Sequence, residues 1–554
     1  MNIRIITYTV LLSTLSLTSC NDFLDKVPDN RVDLKTPDQM SQVLVDGYSI
    51  GNISLMCELS SDNFVDNNSP DEQGNRYNYE SYDRIDNEIY AWDDAKASDQ
   101  QDSPSSVWEG CYHAIAVANH VLEAVKRFEA EGRAKEVNAQ KGEALLVRAY
   151  NHFTLANMFC QAYRGPELSK TMQGIPYVTE PEKTVIVDYA RLPLSEVYEK
   201  IEKDLLEGLP LIDDTKYEVP KYHFNKRAAN AFAARFFLYE RKYDLVEKYA
   251  TEALGGITGS PITQMRTIWS VDYTVFNALV QGYINANSPS NLMLVATNAT
   301  FERRYSGKYR YTVNRESAKA TIFGPGPTWS RYNFHPCYSG KLYVSGNQEN
   351  GVWFPKAGEL FEYTDKVAGI GWTHIVRCEF TAEEVLLSRA EARIYLGNID
   401  GAVSDMKTWD DSRQKTTTIT VFDSLTPSLI KSFYGKDPGY GIVKPLHIDE
   451  VCPSDKYSMS GEMEPFLQCL LHFRRIETIF DGYRWFDIKR YGIEITHKIG
   501  KEKVDKLTKE DPRRAFQIPA EVIAAGMEPT KRKMVKKGEA HIKSNASYEK
   551  SSNK

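Results

Sequence analysis

Tryptophan and tyrosine carry the most recognisable binding chemistry in this chain. Residues 269–372 hold 19 aromatic side chains in 104 positions, including Trp269, Trp329, Trp353 and Trp372, against 12% over the whole chain. A flat aromatic face accepts the C–H edges of a sugar ring, and a mostly apolar surface with a few hydrogen-bonding groups is the usual form of a small-ligand site. Trp329-Ser330-Arg331-Tyr332 follows Gly324-Pro325-Gly326-Pro327, a turn-forming run that would display it on a loop. Arg76-Tyr77-Asn78-Tyr79, with Tyr82 just beyond, is a second cluster, in sequence too polar to bury it. Tyr77, Asn78, Tyr79, Trp329, Arg331 and Tyr332 are therefore the candidate ligand contacts. Core packing is the competing reading for each ring taken singly.

Catalytic constellations are weaker. Gly47-Tyr48-Ser49-Ile50-Gly51 has the G-x-S-x-G spacing of serine hydrolases, but it follows an amphipathic helix where the strained elbow needs a buried strand. HExxH, P-loop and GxGxxG patterns do not occur, and the ten histidines are scattered. The paired acids of a glycosidase cannot be singled out without a geometry. No catalytic residue, metal ligand or cofactor is assigned.

The elements that must position these side chains are mainly helical. Thr36-Pro37 places a cap and an N1 proline before a first helix. Helical windows run from Ser106 to about Phe128 and from about Glu136 to Cys160, where Leu145, Ala149, Phe153, Ala156 and Cys160 recur at helical spacing. Pro193 opens another over Leu194–Leu209, and Asn225 can cap a fourth. Ala234-Arg235-Phe236-Phe237-Leu238, with a second helix from Asp244 to Leu254, looks like a copy of Ala392-Arg393-Ile394-Tyr395-Leu396, with a second helix from Asp400 to Trp409. Both read as tetratricopeptide-like hairpins. From about 256 to 378 the helical signal fails and short strand-like pieces appear, such as Leu292–Ala296 and Tyr309–Val313; 411–460 is likewise rich in Thr, Ser and Gly. The expected fold is mostly α, a scaffold of helical hairpins with long loop-rich insertions and minor β-structure.

The amino terminus carries an address. One basic residue, Arg4, precedes an uncharged stretch, Ile5–Leu17, too short and hydroxyl-rich to span a bilayer stably. It ends in Leu17-Thr18-Ser19-Cys20, which resembles the bacterial lipobox, in which the cysteine thiol is diacylated before cleavage. Residues 1–19 are then a signal peptide, Cys20 the lipid attachment site, 20–35 a tether, 36–530 one large domain and 531–554 a basic tail with eight basic and two acidic residues. Within the domain the scaffold occupies about 36–255 and 379–495, and the ligand-binding loops about 256–378. A net charge of −7 calls for no nucleic-acid partner. The seven remaining cysteines are odd in number and contain no CxxC pair, which argues against a disulfide framework or zinc site.

Near the carboxyl end stands Phe473-Arg474-Arg475-Ile476-Glu477-Thr478-Ile479-Phe480-Asp481-Gly482-Tyr483-Arg484-Trp485-Phe486-Asp487-Ile488-Lys489-Arg490-Tyr491-Gly492. This run resembles the signature of the SusD/RagB family, surface lipoproteins of the Bacteroidetes, with Asp481 where the family usually has Glu. Leu59–Asn63, Trp108–Asn119, Glu143–Tyr150, Val385–Ala392 and Phe516–Pro519 agree in the right order, while Ala524–Pro529 departs from the family's usual ending. Physically the charges of the signature read as architecture: Arg475, Glu477, Asp481, Arg484 and Asp487 suit a helix end turning through Gly482, with ion pairs beside Trp485 and Phe486. The resemblance implies a non-enzymatic lid on a SusC-like TonB-dependent β-barrel transporter, anchored by lipid in the outer membrane and facing outwards, which binds an oligomeric nutrient, glycan or oligopeptide. A surface glycoside hydrolase and a structural scaffold lipoprotein are the competing classes.

Overall fold

The computed structural model describes residues 33–532 apart from 72, 77, 80–81, 97–100, 183–188, 267–275, 306–308, 330–351, 353–355, 357, 414–423 and 455. Helix α1, Pro37–Leu44, begins on a capping box: the Thr36 hydroxyl accepts from the Gln39 N–H at 3.2 Å, and the Gln39 side chain accepts from the Thr36 N–H at 3.2 Å. Helix α2, Ser54–Ser60, is wholly buried, and α3 spans Arg84–Tyr90. Ser103 caps α4, Pro104–Ala130, which packs along α5, Asn138–Phe159. On the far side of α5 lies α6, Leu194–Gly208, at a backbone approach only glycine allows. A Cβ on Gly142 would stand 2.8 Å from Leu211 Cβ, and one on Gly208 2.9 Å from the Gly142 carbonyl.

The two helical pairs expected from the repeat are present. Helix α7, Lys226–Tyr239, capped by the Asn225 side chain, pairs with α8, Tyr243–Ala253; α9, Ala382–Tyr395, pairs with α10, Ile399–Arg413. Helix α8 also packs on α9, which joins the hairpins into one array of tetratricopeptide-like units. Phe153 of α5 meets Phe232, Phe236 and Tyr239 of α7 at ring separations between 5.2 and 5.9 Å, so an aromatic seam holds α5 to α7.

Strands are few. Val65–Asp66 (β1) pairs antiparallel with Tyr311–Thr312 (β3). Asn291–Asn298 (β2), Leu360–Asp365 (β4) and Ile370–Thr381 (β5) form an antiparallel sheet in the order β2-β5-β4. Ile495–Ile499 (β6) and Lys503–Leu507 (β7) form a hairpin. The region 411–460 is less irregular than its composition suggests: α11, Pro427–Tyr434, starts at Thr426, whose hydroxyl accepts from the Leu429 N–H. Cap and N1 proline are the same device as at Thr36-Pro37. Among the described residues no helix is long and apolar enough to cross a membrane, and the six cysteines 57, 111, 160, 378, 452 and 469 are free thiols.

The terminal signature is a helix–turn–helix. Helix α12, Glu464–Glu477, stops; Phe480 and Gly482 take left-handed φ of 67° and 86°; α13, Tyr483–Arg490, follows. Its charges are buried, but they do not chiefly pair with one another across the turn, as their spacing suggests. Arg484 grips Asp62 at 2.8 and 3.0 Å, Glu477 accepts from Arg413 at 2.6 Å and from the Trp409 indole at 2.8 Å, and Asp481 accepts from Lys356 at 2.6 Å. Only Arg474 and Arg490 on Asp487 close a pair inside the signature.

Candidate ligand-binding site

Pairing of β1 with β3 brings the polar loop after residue 66 against the chain around residue 310. Asp66, buried at the end of β1, fixes the junction: its carboxylate accepts from Arg310 Nε and Nη2 at 2.8 and 2.7 Å, from the Asn68 N–H at 2.9 Å and from the Gly500 N–H at 2.7 Å. The hydrogen bonds to Asp66 raise the Arg310 guanidinium above its ordinary value. A bidentate pair of this kind holds the guanidinium plane in one orientation. The guanidinium carbon stands 5.4 Å from the Tyr82 ring centroid and 5.0 Å from that of Tyr311. Tyr82 is 47% exposed, so one wall of this cation–π arrangement faces solvent.

Below it runs an aromatic column. Tyr311 stacks on Tyr90 at 4.5 Å, Tyr90 on His497 at 4.2 Å, and His497 on Trp92 at 4.1 Å. Both ring nitrogens of His497 bond backbone carbonyls, of Tyr90 and Ser61, and burial pushes its pKa down. Asparagines tie the loops together: Asn68 donates to the Tyr79 carbonyl at 2.6 Å and Asn314 to the Asn67 side chain at 3.2 Å. Asn78 is exposed and left-handed, φ 53°, and Tyr79 is half-buried.

Of the residues singled out in the sequence, Asn78 and Tyr79 thus lie on the loop that meets the 300s segment, while Tyr77, Arg331 and Tyr332 lie outside the described residues. Trp329 is a correction. It is not displayed: it is 5% exposed, its indole packs 5.7 Å from Phe473 and 5.9 Å from His472, and its N–H donates to the Gly324 carbonyl. The Gly-Pro-Gly-Pro run folds the ring back over Gly326, where a Cβ would overlap it at 2.1 Å. Trp372, by contrast, is 56% exposed on β5. Arg310, Tyr82 and Trp372 stand outside the six candidate contacts drawn from the sequence. An arginine beside two tyrosines in 309–311 was the available signal for the first.

Apart from that surface, a concavity of about 690 Å³ runs along α4, lined by Trp108, Tyr112, Val178, His113 and Glu182. Glu182 and Tyr189 in its lining flank residues outside the described set.

Several buried groups of the scaffold also have shifted protonation. Burial pushes His152 and His472 down to about 3, and raises Glu58 to about 7, Asp102 to about 6 and Asp86 to about 8. Asp102 accepts from the Thr300 N–H and from Asn52, and Glu58 from Asn63 and the Gly482 N–H, which are scaffold contacts. Ser49 of the G-x-S-x-G run accepts from the Gly51 N–H and meets the Cys111 thiol at 3.6 Å; among the described residues no histidine bonds to it. Among the described residues no cluster of His, Cys, Asp and Glu could hold a metal ion.

Comparison with known proteins gives a consistent relationship. Residues 22–238 match the SusD-like family model described as starch-binding and associating with the outer membrane. No curated protein matches. A putative sugar-binding protein from Bacteroides vulgatus shares the fold at a TM-score of 0.60 and 16% identity, over 90% of this chain and 99% of its own. A SusD superfamily protein from Bacteroides fragilis does so at 0.57 and 16%, over 89% and 98%. A SusD-like carbohydrate-binding protein from Bacteroides vulgatus does so at 0.57 and 15%, over 89% and 97%. The chain is thus SusD-like in sequence over residues 22–238 and has the SusD-superfamily fold over about nine-tenths of its length.

Proposed function

We propose that this protein is a lipid-anchored outer-membrane binding protein that captures an oligosaccharide and serves as the lid of a SusC-like TonB-dependent transporter, without catalysis of its own. The observation that carries carbohydrate capture is the Tyr82–Arg310–Tyr311 arrangement, an aromatic face and an oriented donor held at the surface by buried Asp66. A sugar ring can lay its C–H face on Tyr82 while its hydroxyls bond the loop's amides. The matched family's description and the sugar-binding names of two structural relatives favour glycan over oligopeptide. Tyr77, Asn78, Tyr79, Arg331 and Tyr332 complete the proposed contact set. Cys20 carries the anchor, the residues after it form a tether that ends at Leu34, which is buried in the core with its carbonyl accepting from Arg127, and the chain faces the cell exterior.

Affinity electrophoresis in gels containing amylopectin, xylan or mannan tests the binding function. Retardation by at least one polysaccharide without its cleavage is the expected result; release of reducing ends would favour a glycoside hydrolase. Copurification of a β-barrel of the outer membrane with the full chain tests the lid.

A further inference from the structure

The β4–β5 hairpin holds its large apolar side chains in solvent, whereas the helical aromatics are packed inside. Its register sorts them into two faces. Glu362 pairs with Trp372 and Leu360 with His374, so these four share one face; Asn298 of β2 pairs with His374 from the other side and joins the same row. Phe361 and Tyr363 occupy the opposite face, with ring centroids 4.9 Å apart, and the Phe361 ring covers Gly371. That second face is therefore occupied in stiffening the hairpin.

The first face is differently equipped. Trp372 is 56% exposed, and beside it the Glu362 side chain is 76% exposed. Glu362 Oε2 stands 4.0 Å from His374 Nδ1, a buried nitrogen with no hydrogen-bond partner. Asn298, half-buried, adds a carboxamide to the row. An indole face flanked by a carboxylate that only accepts, the partly exposed edge of an imidazole and an amide that donates and accepts suits a neutral pyranose: C–H groups against the ring, hydroxyls donating to Glu362 and exchanging hydrogen bonds with Asn298. A purely apolar partner would strip water from the Glu362 carboxylate, 76% exposed, and give it no partner in return, which is costly. We infer that Trp372, Glu362, His374 and Asn298 form a second carbohydrate subsite, for one pyranose unit of a neutral oligosaccharide, built from residues other than those of the Tyr82–Arg310 surface. It rests on the carbohydrate reading above.

Calorimetric titration of the purified full chain with maltoheptaose, xylohexaose and mannohexaose tests it, comparing wild type with Trp372→Ala, Trp372→Phe, Glu362→Gln and Tyr82→Ala. For whichever saccharide binds, Trp372→Ala weakens affinity roughly 5- to 10-fold, the loss of one aromatic stacking contact, and Trp372→Phe weakens it less. Because Trp372 is exposed, the melting temperature stays unchanged. If a saccharide binds and Tyr82→Ala weakens it while Trp372→Ala does not, the subsite is overturned and carbohydrate capture stands. If none of the three binds the folded wild type, both fall. If Trp372→Ala leaves affinity intact but shifts the sedimentation coefficient, the hairpin is a protein contact and the subsite is overturned.

Discussion

Asp62 is the buried carboxylate on which three cations converge. Arg484 and Arg475 reach it from the terminal signature and Lys444 from the segment before it. Burial alone would raise its pKa, but these three cations hold it well below the usual carboxylate range. Asp62→Asn therefore leaves buried positive charge uncompensated, and urea denaturation should show a loss of about 3–5 kcal/mol. Gly482 is equally exacting: at φ 86° an added Cβ would be strained and would also meet Cys57 Cβ at 2.8 Å. Gly482→Ala should cost about 1–3 kcal/mol in the same measurement. Protonation has two opposite signatures. Asp62 and Asp487 have depressed values, so their contribution is present above the unfolded carboxylate pKa and lost as pH falls through the folded one. Glu58 and Asp102 have values raised mainly by burial, to about 7 and about 6, so their contribution is full below the unfolded pKa and lost as pH rises through these values. Melting temperature should peak near about pH 5 and fall towards about pH 8, and Glu58→Gln should flatten the alkaline side of that curve.

Among the elements, the hairpin repeat shows what a local likeness can mislead about. Aligning Ala234-Arg235 with Ala392-Arg393 sets an offset of 158 residues. The helices correspond at 156, since 226, 239 and 243 match 382, 395 and 399, and left-handed Arg241 matches left-handed Gly397. Two residues on a helix is more than half a turn, so Arg235 and Arg393 do not share a face. Arg235 is buried between Glu379 and Glu384, and Arg393 reaches Glu247 and Asp405. Helix starts at Thr36 and Asn225 were far more legible, because a cap is a short-range hydrogen bond that each accepts from the backbone three residues on; the same device at Thr426 lies in a region whose composition reads as loop. The α5–α6 contact depends on paired glycines. Gly142→Ala should separate the helices and cost about 1–3 kcal/mol by thermal or chemical unfolding, whereas Gly461→Ala, where an added Cβ meets nothing and φ is not left-handed, should cost less.

For the molecule as a whole, anchorage and transport are claims about address and partner. Cys20→Ala should move the protein from the membrane to the soluble fraction in cells lacking the barrel; full retention there would defeat the anchor assignment. The sequence by itself determined the helical class, the caps, the strand-like pieces at 292–296 and 309–313, and the resemblance, since these depend on neighbours within a few residues. It also held pieces far apart that turn out to touch: Leu59–Asn63 meets the terminal signature through Asp62, and Arg148 of Glu143–Tyr150 bonds Asn119 of Trp108–Asn119 at 3.0 Å. Which charge finds which partner, and which tryptophan faces water, only the tertiary structure decided. Trp329 and Trp372 are equally apolar in sequence. One is buried on α12 and the other exposed on β5, because burial is set by what the rest of the chain packs against each ring, and for Trp329 that is Phe473, far beyond the reach of any local pattern.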